Sequence, residues 1–161
     1  MIDIALFVLT LVSALGSGLI AGVFFAFSAF VMRALARLPA SQGIAAMQAI
    51  NVVILNPVFG LVFFGTAIAS LFLGGFALFR WHERPSAYLL AGALLYVAGS
   101  FGVTLVFNVP RNNALARLDA TAGDVGGRWS RYVAEWTAWN HARLIASLLA
   151  SGSFTIAYAL F

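Results

Sequence analysis

The chain has no cysteine, which excludes disulfides, thiolate metal sites and cysteine nucleophiles. It has no lysine either, so its formal charge of +4 and its pI near 10.4 come from arginine alone. Charge of either sign is scarce, at 9% of residues, against 63% apolar residues and a mean hydropathy of +0.99. That leaves too little polar surface to coat a soluble domain of this length. Also missing are a phosphate-binding glycine loop after a strand, a paired metal-ligand motif, an internal repeat and any low-complexity tract. The two histidines, His82 and His141, fall on opposite sides of the membrane in the topology derived below, which does not suit a multi-histidine metal or bis-histidine haem site within one subunit.

What the chain does have is four long apolar stretches, Ile4–Met32, Val52–Phe79, Tyr88–Phe107 and Leu144–Phe161. A hydrocarbon core roughly 30 Å thick is crossed by about 20 residues of helix, and each stretch reaches or approaches that length. The first opens with Asp3 rather than a basic segment and outruns a signal core, so it reads as a retained helix. Backbone polar groups in lipid must be satisfied within the segment, which makes the stretches helices. The expected fold is all-α: a polytopic membrane protein with one antiparallel four-helix transmembrane bundle over 1–161 and spans near 4–32, 52–80, 86–108 and 140–161.

Ile44, Met47 and Ile50 recur at helical spacing in the first connection, which predicts a short interfacial helix leading into the second span. Arg80-Trp81-His82-Glu83-Arg84-Pro85 predicts a tight turn, and Thr121–Gly127 a mobile loop before a helix that begins near Arg128. Six arginines (33, 37, 111, 117, 128 and 131) lie in connections one and three, against Arg80 and Arg84 in connection two. The positive-inside rule then places connections one and three in the cytoplasm and both termini outside a cell membrane. Arginines at such boundaries suit phospholipid headgroups and not nucleic acid, so membrane lipid is one expected partner. The Gly18–Gly22 pair spells GxxxG, read first as packing inside one subunit, with a homo-oligomer seam as the alternative.

Polar groups at membrane depth are costly, and here they gather at one face. Asn51 and Asn56-Pro57 open the second span, Asn108 to Asn113 closes the third, and Tyr132, Glu135, Trp136, Trp139, Asn140, His141 and Arg143 open the fourth. At about 100° per residue, Asn140, Ser147, Ser151 and Tyr158 form a stripe with Trp136 and Arg143 on one shoulder and His141 on the other. The expectation is a polar pocket at the bundle mouth, roofed by the loop at Gly123–Gly127, that takes a hydrophobic small molecule. The plain alternative is a structural network in which His141 and Arg143 pair with Glu135, Asn108 or Asn112. Trp81 and Trp129 read as interfacial anchors, and Arg111 and Arg131 as headgroup contacts.

Gly22-Val-Phe-Phe-Ala-Phe-Ser28, Met47-Gln-Ala-Ile-Asn51, Asn108-Val-Pro-Arg-Asn112 and Trp136-Thr-Ala-Trp-Asn-His-Ala-Arg143 together resemble the anthrone-oxygenase-like integral membrane proteins, in order and over nearly the whole chain. The resemblance implies a four-helix membrane protein and, for members with an assigned activity, oxidation of an anthrone to an anthraquinone by molecular oxygen without a prosthetic group. On that basis His141 is the expected general base. Asn108, Asn112 and Asn140 orient or stabilise the enolate oxygen, and Arg143 supplies positive charge. Trp136 with Phe24, Phe25 and Phe27 forms an aromatic wall, and Asn51 and Tyr132 are further substrate contacts. Competing readings are a non-catalytic lipid- or quinone-binding protein or accessory subunit, a small transporter suggested by Asn56-Pro57, and a single metal or haem held between protomers.

Overall fold

The computed structural model describes residues 2–121, 123 and 125–161; Ala122 and Asp124, in the expected loop, lie outside the described residues. Among the described residues there are five helices and no strand. Four are long and apolar enough to cross a membrane: α1 (Ile4–Leu35), α3 (Pro57–Phe79), α4 (Ser86–Ala116) and α5 (Gly126–Ala159). The shorter α2 (Ala40–Val53) connects the first two. The chain is therefore a multi-pass membrane protein, with α1 against α5 and α3, and α4 against α3 and α5, so that the four spans close a square.

Two helix boundaries differ from the sequence expectation. The apolar run beginning at Val52 is not one helix: α2 ends at Val53, and α3 restarts at Pro57. Asn56 caps that restart, its Oδ1 accepting from the Phe59 N–H at 3.0 Å, with Pro57 at a position whose missing N–H is not needed. Asn51 thus belongs to the end of α2, and Asn56-Pro57 begins a helix instead of interrupting one. The third span does not stop at Asn108 but continues to Ala116. Pro110 is tolerated because π-helical turns at Leu95–Gly102 and Thr104–Asn108 precede it and the α-helical ladder starts afresh at Val109. The last helix begins at Gly126, close to the start expected near Arg128.

Two packed regions stack along the bundle. One surrounds Tyr96, Phe154, Leu73 and Leu89, all inaccessible to solvent. The other gathers Met32, Ile44, Met47, Leu115, Trp129 and Trp136 around α2. Gln48 ties α2 to the end of α4 by donating from Nε2 to the Leu115 and Leu118 carbonyls at 2.9 and 3.1 Å. That tether fixes α2 as one wall of the space between the regions.

Candidate functional site

Asn140 and Arg143 stand nearly one turn apart on the inward face of α5, and both are buried. Asn140 Nδ2 donates to the Phe24 carbonyl and to Ser28 Oγ, each at 2.8 Å. Ser28 lies in, and Phe24 one turn before, a π-helical turn at Phe27–Val31, where α1 departs from its regular hydrogen-bond ladder. Asn140 Oδ1 accepts from Arg143 Nη2 at 2.7 Å, and Arg143 Nη1 donates to Thr104 Oγ1 at 3.2 Å. The guanidinium carbon lies 4.2 Å from the centroid of the Phe24 ring and 5.0 Å from that of Trp136. Such cation–π contacts contribute up to about 2 kcal/mol where water is excluded.

Among the described residues no carboxylate answers this charge. The two ion pairs found there are Arg80–Glu83 in the turn and Arg111–Glu135 at 3.0 Å. Arg143 is 4% exposed, and its Nε has no hydrogen-bond partner among the described residues. A buried cation without an anion costs several kcal/mol, so a negative charge arriving beside it is strongly favoured.

Arg143 lines a cavity of about 650 Å³ whose other walls come chiefly from α1, α2, α3 and α4. Its walls are aromatic, with Phe24, Phe27 and Trp136 on one side and Phe59, Phe63 and Phe64 on the other. The Phe27 and Trp136 ring centroids are 5.4 Å apart, and Phe59 stacks on Phe63 at 5.5 Å. Polar groups are few: Gln48, Asn51, Asn56, Thr104, Asn112, Asn113 and Arg143. Apolar walls with a handful of placed polar atoms are the usual make-up of a small-molecule site.

Asn112 Oδ1 accepts from the Tyr132 hydroxyl at 3.0 Å and from Trp136 Nε1 at 2.9 Å, which sets the tilt of the indole. Asn108 Nδ2 donates to the Trp136 carbonyl at 3.2 Å, while its Oδ1 is buried without a partner among the described residues. Asn51 Nδ2 lies beside the Tyr132 hydroxyl but outside hydrogen-bond geometry, leaving a second orphaned polar atom, here a donor, at the cavity.

Of the residues expected at the site, Phe24, Phe27, Asn51, Asn112, Trp136 and Arg143 line the cavity, while Asn108, Asn140 and Tyr132 stand behind them as supports. His141 and Phe25 do not belong to it. His141 is exposed on α5, one residue and about 100° from buried Asn140, and Phe25 is 57% exposed on α1 beside buried Phe24. The expected roof at Gly123–Gly127 includes Asp124, which lies outside the described residues; α2 and the corner after it line the cavity. Gly127 instead borders a second, basic cleft of about 780 Å³ with Arg111, Arg117, Arg128 and Arg131. Arg111, expected at headgroups, is held by Glu135 and by the Phe107 carbonyl at 2.8 Å.

Sequence reasoning missed Phe59, Phe63, Phe64 and Thr104. The i,i+4 spacing of Phe59 and Phe63 just beyond the Asn56 cap, and of Thr104 and Asn108 on α4, is the signal that marks them.

The model of one protein family, described as anthrone oxygenase, matches residues 56–153. The chain belongs to the anthrone oxygenase family. The matched segment runs from the Asn56 cap past Arg143 and so covers most of the polar side of the cavity, while Phe24, Phe27 and Asn51 lie before it. Comparison with curated proteins gave no match, and comparison with solved structures gave none either.

Proposed function

We propose that this member of the anthrone oxygenase family binds a flat, polycyclic aromatic ketone of the anthrone type in the cavity and promotes its oxidation by molecular oxygen. The observation that carries this reading is Arg143, a buried cation with an unpartnered Nε, lining an aromatic cavity with no carboxylate beside it among the described residues. An anthrone carbonyl directed at Arg143 gains most when the ring loses its methylene proton and the oxygen becomes an anthranolate, because the attraction grows as charge develops. The anion then passes one electron to oxygen. Recombination of the resulting radicals forms a C–O bond, and loss of water leaves the quinone, so that one anthrone and one O₂ give one anthraquinone and one H₂O.

This reading changes the role of His141. Among the described residues no imidazole and no carboxylate lines the cavity. The protein therefore acts by stabilising the conjugate base, and the proton leaves to solvent. Asn140 and Thr104 hold the guanidinium in place; Asn51 supplies a donor to the bound ligand; Asn112 fixes the Trp136 wall. In the orientation expected from the arginine count, α2 lies along the cytoplasmic boundary and the site just beneath it.

The test is anthrone loss and oxygen uptake by purified protein in nanodiscs, measured against empty nanodiscs to subtract spontaneous oxidation. Uptake equimolar with anthrone loss, and its collapse in Arg143→Gln, is the expected result. No uptake above the empty-disc rate removes the oxygenase reading; a ligand that copurifies without turnover then favours a binding protein.

A further inference from the structure

The corner between α2 and α3 has the wrong composition for a turn in water. Between Asn51 and Asn56 it reads Val52-Val53-Ile54-Leu55, and Val52 and Leu55 are 72% and 81% exposed. Val53, Val58 and Leu61 continue the patch at 71% to 76% exposure. An apolar surface this continuous, in a chain with four membrane spans, is covered by acyl chains. Val52 and Leu55 also line the cavity, as do Phe64 and Leu105 across from them, both about half exposed. Residues that are inner wall and outer surface at once mark where the cavity breaks through the bundle; Val52, Leu55, Phe64 and Leu105 make its apolar part, with exposed Asn56 and Asn113 also on it.

We propose that the cavity is loaded sideways from the bilayer, through a portal between the Val52–Leu55 corner and Leu105 on α4, by a neutral polycyclic aromatic dissolved among the acyl chains. The inference rests on the cavity being the ligand site, as proposed above, but not on oxidation taking place there. Leu105 and Phe64 are about half exposed, whereas Arg143, lining the same cavity, is 4% exposed. A neutral ketone crosses the rim without losing solvation, ionises only beside Arg143 and is then held, since an anion does not return to hydrocarbon. A neutral quinone carries no such charge and leaves by the same opening.

Trp136, 5% exposed inside the cavity, reports on entry, and the cysteine-free chain allows the rim to be plugged at one position. The full-length protein is reconstituted in phosphatidylcholine with brominated or unbrominated acyl chains, and the Trp136 signal is taken as the difference from Trp136→Phe. Brominated chains are expected to quench that signal at least threefold. A bulky methanethiosulfonate on the Leu105→Cys variant removes the quenching, and reductant restores it, while the same adduct on Leu149→Cys, on the far side of α5, leaves it unchanged. Quenching that the adduct at the rim does not alter, no lipid quenching at all, or quenching by aqueous iodide in place of bromolipid overturns the portal. Lipid quenching controlled by the Leu105→Cys adduct without oxygen uptake keeps the portal and removes the oxygenase reading. Oxygen uptake with iodide quenching does the reverse.

Discussion

Around Tyr96 and Phe154 the helices close on one another until backbone meets side chain, whereas around Arg143 they are held apart. In the closed half, a Cβ on Gly16 would overlap Thr66 Oγ1, one on Gly92 would sit 2.8 Å from the Phe154 ring, and one on Gly99 would sit 2.6 Å from Ala146 Cβ. Glycine there removes the side chains that would separate the spans, the usual route to tight packing where lipid supplies no hydrophobic drive. In the open half, α2 leans in from the side and Gly60 has nothing within 4 Å of where a Cβ would be, while π-helical turns occur in both halves, at Phe27–Val31 and Thr104–Asn108 in the open one and at Leu95–Gly102 in the closed one. One composition thus builds a rigid base in one region and a cavity in the other. The same change of one methyl group should read as lost stability in the first and as altered ligand handling in the second.

The comparison is broken most forcefully at Arg143. In Arg143→Gln the cation is lost while a polar side chain remains to meet Asn140 Oδ1. Turnover is expected to fall about 10²- to 10³-fold, the range for removing a charge-stabilising donor. Detergent unfolding should be little weakened, because the variant also removes a buried unpaired charge. Unchanged turnover per folded molecule together with a large loss of stability would show Arg143 to be structural.

Gly92→Ala probes the closed half. Phe154 has no room to yield, being fully buried, so the added methyl is expected to cost about 1–3 kcal/mol of stability, as overpacking does. Turnover per folded molecule should stay constant. Gly60→Ala, in the cavity wall, is the matching control and should be neutral or stabilise by up to about 1 kcal/mol. Equal losses in the two variants, read by unfolding in mixed micelles, would erase the distinction between the halves.

How much of this was legible in the sequence follows from the same contrast. Long apolar runs declare their length, so the four spans and the connecting helix could be read directly. Which side of the first three runs faces inward could not, since lipid-facing and core-facing residues are equally apolar in a bilayer; only the fourth, with its stripe at Asn140 and Ser147, showed its buried side. Phe24 and Phe25 are the same residue type side by side, yet one lies under Arg143 and the other faces outward. Asn140 and His141 are both polar, and only the bonds from Asn140 to α1 fix the rotation that turns His141 away. The polar stripe located the site to within a turn of helix; its phase was set by the π-helical turn in α1, which has no sequence signature comparable to a cap or a proline.

Trp136→Phe gives a smaller effect at the cavity wall. It keeps an aromatic face over Arg143 but removes the donor to Asn112 Oδ1, which still accepts from Tyr132. A net hydrogen bond is worth about 1 kcal/mol, so apparent substrate affinity should weaken about fivefold, with a smaller change in maximal rate. Titration of KM and kcat separately checks this, and a loss confined to kcat would place Asn112 closer to the chemistry than the wall it supports.

The smallest effect is expected at His141, and it decides between two mechanisms. A general base must reach the proton it removes, and its loss typically costs about 10²- to 10⁴-fold. The exposed imidazole lies outside the cavity, on the side of α5 turned from Asn140. His141→Ala should therefore change turnover less than about twofold and stability by less than about 0.5 kcal/mol, as surface substitutions do. The pH profile sharpens the test. If the cavity acts by stabilising an anthranolate at Arg143, the rate rises with pH because the substrate ionises, and the curve keeps its shape in His141→Ala. If that variant flattens the rise, the imidazole takes the proton after all, which would require α5 to turn by about one residue and so break the bonds Asn140 makes to Phe24 and Ser28.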